Sequence, residues 1–227
     1  GVIRDELNMF LKPHGLFFGP ETSTANRAMI GGMVGNNSCG SNSVVYRSTR
    51  EHLLEIKALL SDGSEAEFKT LNIDRFHEKC EGDTLEAGIY KTVRRLLSNY
   101  ENQVEIRKEF PKKTVERRNT GYAIDILLES APFTAGGADF NFCKLIAGSE
   151  GTLAFITEIK LNVVPLPPKE AGLLCVHFNS IDESLRANLI ALKYKPSASE
   201  LIDHYILECT KENKEQAKNR FFVQGDP

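Results

Sequence analysis

Two stretches hold most of the residues whose types and spacing suit chemistry. In Ile30-Gly31-Gly32-Met33-Val34-Gly35-Asn36-Asn37-Ser38-Cys39-Gly40-Ser41-Asn42-Ser43, glycines are interspersed with small amide and hydroxyl side chains. Glycine admits positive φ and lets a ligand come close to the backbone. Asn and Ser add donors and acceptors beside those bared amides. Such a run reads either as a plain Gly/Asn/Ser loop or as a surface for a polar, phosphate-bearing or heteroaromatic ligand. The second stretch is Gly148-Ser149-Glu150-Gly151-Thr152-Leu153-Ala154-Phe155-Ile156-Thr157-Glu158. Glu150 has no partner carboxylate or histidine nearby in sequence, so a structural or ligand-contact role outranks general-base catalysis. Cys39 sits inside the first run without the electropositive neighbours that activate a thiol.

Other chemistries are absent from the sequence. No G-x-G-x-x-G follows a strand and opens a helix, and there is no Walker A, G-x-S-x-G or H-E-x-x-H. Cys39, Cys80, Cys143, Cys175 and Cys209 lie far apart with no C-x-x-C, so no zinc or iron–sulfur site is expected and the thiols are expected to be reduced. The histidines are scattered and read as surface or core residues. The composition, with 41% hydrophobic and 26% charged residues, is that of an ordinary globular protein. A net charge of −3 gives no electrostatic reason to expect nucleic acid or anionic lipid as a partner. No apolar run approaches the roughly 18 residues of a spanning helix, and no signal peptide is evident. The chain starts Gly1-Val2-Ile3-Arg4 without an initiator Met, and we expect it to be a piece of a longer polypeptide.

The elements that must position these stretches follow from periodicity. Ile3, Leu7, Phe10 and Leu11 predict a helix closed by Pro13 and Gly15. Pro20-Glu21-Thr22-Ser23 predicts a Pro-initiated turn before a short Thr24–Ala28 segment. Leu54, Ile56, Ala58 and Leu60 alternate with Glu55, Lys57, Leu59 and Ser61; Asp62-Gly63 is a hairpin turn, and Ala66 and Phe68 resume the alternation. Asp83-Thr84-Leu85-Glu86 reads as a capping box opening one helix, with Leu85, Ile89, Val93, Leu96, Leu97, Tyr100 and Val104 along its buried stripe. Lys91, Arg94 and Arg95 fall partly off that stripe, as solvated surface. The stretch from Pro111 to Gly121 is basic and broken. Phe155, Thr157, Ile159, Leu161 and Val163 predict the cleanest strand, running from Phe155 to Val164 with Ile159 buried. After Pro165-Leu166-Pro167-Pro168 the composition shifts. Beyond it we expect a strand at Leu173–Phe178 and a helix capped by Ser180 and Glu183 that carries Leu185, Leu189, Ile190 and Leu192. The apolar Leu201-Ile202 and a charged helix ending by Gln224-Gly225-Asp226-Pro227 complete the pattern.

The two stretches, in this order and on either side of a helical segment, resemble the FAD-linked oxidases of the para-cresol-methylhydroxylase and vanillyl-alcohol-oxidase type. The first is similar to that family's second flavin-contacting segment, the second to its GSEGTLG-I-ITE signature. Gly1-Val2 with Leu7-Asn8 resembles its G-V-x-x-x-x-L-N, and Asn119-Thr120-Gly121-Tyr122 its N-T-G-Y. Pro20-Glu21-Thr22-Ser23 stands where the family reads P-D-P-S-S; Thr22 replaces the second Pro and loosens the turn. The Ala131–Ala138 insert is most like the large members with D-lactate or D-2-hydroxyglutarate dehydrogenase activity, some of them fused to an iron–sulfur module. One departure stands out: Val45-Tyr46-Arg47 lies where the family has Tyr-Gly. Arg47 either pairs with a cofactor phosphate or turns outward.

The resemblance, which covers Gly1 to about Pro168, implies an α+β fold. Residues 1–168 would be the second subdomain of the FAD-binding domain, mostly antiparallel sheet flanked by helices, and 169–227 the truncated start of an α/β substrate or cap domain. It implies that Pro20, Glu21 and Thr22 flank the middle of FAD and that Gly31 and Gly32 let amides approach its phosphates as an anion nest. Asn36, Asn37, Ser38 and Gly40 would lie against the ribityl chain and ring; Gly148, Glu150, Gly151 and Ile156 would lie near the adenine and ribose. The first pyrophosphate loop is expected before Gly1. The histidine-rich metal or base motif and the substrate-clamping basic residues are expected after Pro227, so no catalytic or metal residue is assigned in this chain. The implied activity is oxidation of a small D-2-hydroxy acid (D-lactate, glycolate or D-2-hydroxyglutarate) by hydride transfer to flavin, with this chain alone inactive. An iron–sulfur acceptor is expected in the full-length protein, and self-association is expected of this piece. The expected location is cytoplasmic, with attachment to the inner membrane through an electron acceptor as the variant. The alternatives are a non-catalytic ligand-binding or interaction module on the same scaffold and an enolpyruvyl-sugar reductase-like flavoenzyme.

Overall fold

The computed structural model of the protein describes residues 1–115, 117–119 and 121–225. Its first unit, Gly1–Leu166, begins with helix α1 (Arg4–Leu11), stopped by a 3-10 turn over Lys12–His14 and by Gly15 at φ 73°. Glycine takes this left-handed turn without a Cβ clash. Strand β1 (Leu16–Phe17) follows, and Asn8 of α1 accepts a 2.7 Å hydrogen bond from the N–H of Phe18. The glycine-rich run then forms a helix, α2 (Ile30–Asn36), ended by left-handed Asn37 at φ 54°. Ile30, Met33 and Val34 fall at i, i+3 and i+4 and are all buried, Ile30 and Met33 against Phe18. That burial offsets the roughly 0.5–1 kcal/mol that each helical glycine costs. The sequence left this segment as a possible loop, and Gly31 and Gly32 do not have positive φ.

Short helix α3 (Ser43–Tyr46) and a 3-10 turn over Thr49–His52 lead into the hairpin of β2 (Leu53–Leu59) and β3 (Glu65–Phe68). Its turn has Gly63 at φ 82°, and the Asp62 carboxylate accepts from both the N–H and the hydroxyl of Ser64. Five helices follow: α4 (Ile73–Lys79), α5 (Leu85–Ser98), α6 (Tyr100–Glu109), α7 (Ile124–Leu128) and α8 (Cys143–Ile146). Strand β4 (Phe155–Leu161) then pairs antiparallel with the far side of β2, giving the order β3-β2-β4, and β5 (Val164–Pro165) pairs with β1. Ile56, Ala58 and Phe68 of the sheet pack against the helices around an aromatic cluster. In it Phe76 and Phe140 have ring centroids 4.6 Å apart, and Tyr90 and Phe142 likewise 4.6 Å. This is the α+β architecture, an antiparallel sheet flanked by helices, that the sequence led us to expect.

Local details differ from the periodicity for identifiable reasons. The β2–β4 register shifts between Leu53 and Glu55 and again between Lys57 and Ala58. A bulge leaves one residue unpaired and turns the side chains after it. So Leu53 is buried rather than Leu54, and Ile156 and Ile159, three apart, both pack toward the core while Phe155 is 71% exposed. The strand ends at Leu161, not Val164. The expected single helix from Leu85 to Val104 is two. Thr84, not Asp83, caps α5, and Asn99 at ψ 124° breaks the helix and caps α6 by accepting from the N–H of Asn102. The change of direction leaves Tyr100 and Val104 exposed and buries Ile106 instead.

The second unit, Pro167–Pro227, contains α9 (Ile181–Ala191), capped by the Ser180 hydroxyl, and α10 (His204–Lys211), followed by a 3-10 segment over Gln216–Phe222. Leu173–Phe178 is not a strand: it forms no β-ladder among the described residues, and Leu173 and Leu174 are 85% exposed. None of the described residues of this unit is buried, Leu185, Leu189 and Ile190 of α9 included. The expected chain end at Asp226-Pro227 lies outside the described residues.

Candidate functional site

The two chemically suggestive stretches fold against each other. The N–H of Gly148 donates to the Val34 carbonyl and that of Glu150 to the Gly35 carbonyl, both at 3.0 Å, so the second stretch supplies hydrogen bonds to the last turn of α2. Helix C-termini leave carbonyls that need such donors. Gly148 (φ 87°), Glu150 (φ 50°) and Gly151 (φ 78°) are all left-handed, which gives the loop its reversal. Behind this contact lies Arg50, 4% exposed, whose Nη2 donates to the Ala147 carbonyl at 2.7 Å. Burial pulls its pKa below the ordinary arginine value, with Glu51 opposing and Arg118 adding to the effect. A Cβ on Gly148 would stand 3.0 Å from that guanidinium nitrogen, so glycine there serves close packing as well as φ.

Asn37 joins these parts. Its Oδ1 accepts from the Ser48 hydroxyl at 2.9 Å and the Arg50 N–H at 2.8 Å, and its Nδ2 donates to Asn119 Oδ1 at 3.0 Å. Ser38 is also buried, its carbonyl accepting from both the N–H and the hydroxyl of Thr49. Glu21 is tied to the far end of the run, where its Oε2 accepts from Ser41 Oγ at 3.0 Å and Asn42 Nδ2 at 2.7 Å. Gly40 lies directly against it, and a Cβ there would meet the Glu21 carbonyl oxygen at 2.6 Å.

A cleft of about 430 Å³ opens beside α2. Of the residues the sequence singled out, it brings together Thr22, Gly32, Asn36 and Ser38. Pro20, Glu21, Gly31, Asn37, Gly40, Gly148, Glu150, Gly151 and Ile156 do not line it. Gly148 and Glu150 instead hold α2 by the hydrogen bonds above, whereas Ile156 packs toward the main core from β4. The lining also includes residues that sequence reasoning passed over: Thr24, Met29, Arg117 and Asn119, beside Cys39. Arg117 Nε donates to Cys39 Sγ at 3.0 Å. The signal for Arg117 and Asn119 was the N-T-G-Y resemblance just after a basic stretch, although Thr120 lies outside the described residues. Arg47 is not in this cleft; it lines a second one.

The cleft fits a polar, anionic group. Arg117 is its one charged side chain among the described lining residues, and the rest of the polar lining is hydroxyl and amide. A Cβ placed on Gly32 would meet no atom within 4 Å, so the cleft wall there is bare backbone facing open space. No group of His, Cys, Asp or Glu that could hold a metal ion occurs among the described residues.

Residues 1–69 match a family described as FAD binding domain. The chain is 35% identical over 208 residues to a D-2-hydroxyglutarate dehydrogenase of Pseudomonas putida, covering 91% of this chain and 20% of that protein. The Escherichia coli protein of the same name is 35% identical over 213 residues, covering 94% and 20%. A mitochondrial D-lactate dehydrogenase [cytochrome] of Saccharomyces cerevisiae is 24% identical over 212 residues, covering 92% and 25%. The chain thus spans about a fifth of the length of the D-2-hydroxyglutarate dehydrogenases it matches. The matched segment contains α2, the cleft-lining residues from Thr22 to Cys39, and Arg50.

Proposed function

We propose that this chain is part of an FAD-dependent oxidoreductase acting on a small D-2-hydroxy acid. Residues 1–168 would form the second subdomain of its FAD-binding domain and 169–227 the opening of its substrate domain. The observation that carries this is a polar cleft, free of carboxylates among its described lining residues, whose wall of bare glycine backbone lies in a segment that matches an FAD binding domain. The relatives named D-2-hydroxyglutarate dehydrogenase are 33–35% identical, against 22–24% for those named for glycolate or D-lactate. That difference favours D-2-hydroxyglutarate as the substrate.

Bound FAD would supply the two-electron acceptor. The chain's own part is binding and orientation. Gly32 leaves room for close approach, Thr22, Asn36 and Asn119 present hydroxyl and amide groups, and Arg117 offsets negative charge. Gly148 and Glu150 hold α2 from behind. No residue of this chain is assigned as acid or base. The proposal extends to an iron–sulfur acceptor in the full-length protein, resting on the resemblance to members fused to such a module, and to a cytoplasmic location with the acceptor as the link to the inner membrane. No helix among the described residues is long and apolar enough to cross a membrane.

The test is anaerobic mixing of the full-length protein with D-2-hydroxyglutarate and, separately, with D-lactate and glycolate. We expect the bound flavin absorbance to bleach, fastest with D-2-hydroxyglutarate. A yellow protein that none of the three reduces would contradict the substrate class, and a colourless protein would contradict the cofactor.

A further inference from the structure

The first unit has a second cleft, of about 540 Å³, which shares no lining residue with the first. Its floor is apolar: Ile106 and Leu128 are buried and Phe110 is half-buried. Its rim is basic and is drawn from three places in the chain: Arg47 after α3, Arg107 in α6, and Lys112, Lys113 and Arg118 beyond α6. Among the described lining residues three carboxylates share the site, and each is already engaged. Asp125 pairs with Arg118, and Glu129 pairs with Lys113 at 2.7 Å. Glu51 accepts from the N–H and hydroxyl of Ser48 at 3.0 and 2.6 Å.

Of the rim cations, Arg107 and Lys112 stand outside these ion pairs. Arg107 donates to Gln103 Oε1 at 3.2 Å, and neither it nor Lys112 has a carboxylate within 4.0 Å among the described residues. Guanidinium and ammonium groups standing over an apolar floor match a carboxylate or phosphate on an organic body. The volume is in the range of small-molecule sites.

We propose that this second cleft binds a small organic anion, its body on Ile106, Phe110 and Leu128 and its carboxylate or phosphate on Arg107 and Lys112. A small molecule is favoured over an acidic protein surface because the cations ring a concave apolar floor instead of spreading over a flat face. The site is independent of the FAD reading.

Isothermal titration of the full-length protein at low salt, with citrate as the carboxylate probe and pyrophosphate as the phosphate probe, tests this. We expect saturable binding of at least one probe, weakened about tenfold or more (roughly 1.4 kcal/mol) in the double variant Arg107→Glu, Lys112→Glu, with flavin content unchanged. The milder pair Arg107→Gln, Lys112→Gln serves if charge reversal disturbs folding, and should weaken the same probe. Preference for citrate or for pyrophosphate would identify which group the site takes. Binding equal in wild type and variants, no binding of either probe, or binding of polyglutamate alone would overturn the proposal.

Discussion

At the scale of single residues, Asn37 shows what a motif can hide. Its type and place suggest a ligand contact, yet it is fully buried and spends its amide on Ser48, Arg50 and Asn119. Those partners lie 11 to 82 residues away along the chain, so nothing local marks them. Asn also tolerates the left-handed backbone that ends α2. Asn37→Ala would add about 1–2 kcal/mol of backbone strain and leave the buried Arg50 N–H unpaired, at about 1–3 kcal/mol. Urea unfolding should therefore show a loss of ~2–5 kcal/mol, with Asn37→Gly recovering roughly the strain part; an unchanged midpoint for Asn37→Ala would refute the role. Cys143 gives a second residue-scale prediction. Burial pushes its thiol from 9.0 up to about 12. The folded state then holds a proton that the unfolded state releases, so this contribution to stability is intact below pH 9 and is lost as pH rises toward 12. Thermal midpoints should fall across that window, and less so in Cys143→Ala relative to its own value at pH 8. At pH 8 a thiol reagent should modify exposed Cys175 and Cys209 promptly, while Cys80 and Cys143 react only on unfolding.

At the scale of elements, period-2 and helical patterns located the hairpin, β4 and most helices, because each carries its apolar face in its own sequence. They failed where tertiary pairing inserts a residue. Nothing local announces the bulges at Leu54 and Thr157, and with them the inward face of β4 becomes Ile156 and Ile159 in place of Phe155 and Thr157. Asn99 was similarly overlooked because the apolar stripe continues past it; its side chain starts α6 by accepting a hydrogen bond, which a stripe does not reveal. Ile159 touches both apolar clusters of the first unit. Ile159, expected to be buried, is half-buried, so Ile159→Asp should cost about 1–3 kcal/mol by setting a charge against these apolar neighbours. Phe155→Ser, on the exposed face, should shift the melting midpoint little. Circular dichroism melts of the two variants check this, and equal melts would show that the bulged register is wrong.

At the scale of the whole molecule, the fold class and the cofactor family were legible because both glycine-bearing stretches are contiguous in sequence. The cleft was legible only in part: Arg117 and Asn119 come from a segment about 80 residues beyond α2 and are brought to Cys39 by the chain's path. The second unit was the least legible, since the expected strand at Leu173–Phe178 has an apolar sequence but no strand beside it. Its exposed Leu173, Leu174, Leu189 and Ile190 predict that this chain alone self-associates as concentration rises, readable by sedimentation velocity. A monodisperse monomer across a hundredfold concentration range would contradict that.

If FAD lies against the glycine wall of the first cleft, full-length Gly32→Val should show it in its flavin content. The backbone at Gly32 is helical and a Cβ there clashes with nothing, so the fold should tolerate valine, which is no worse a helix former than glycine. The side chain would instead fill the open space at the cleft wall. Gly32→Val should keep wild-type circular dichroism and melting and lose its bound flavin absorbance. A folded Gly32→Val protein that retains flavin at the wild-type ratio would contradict that placement.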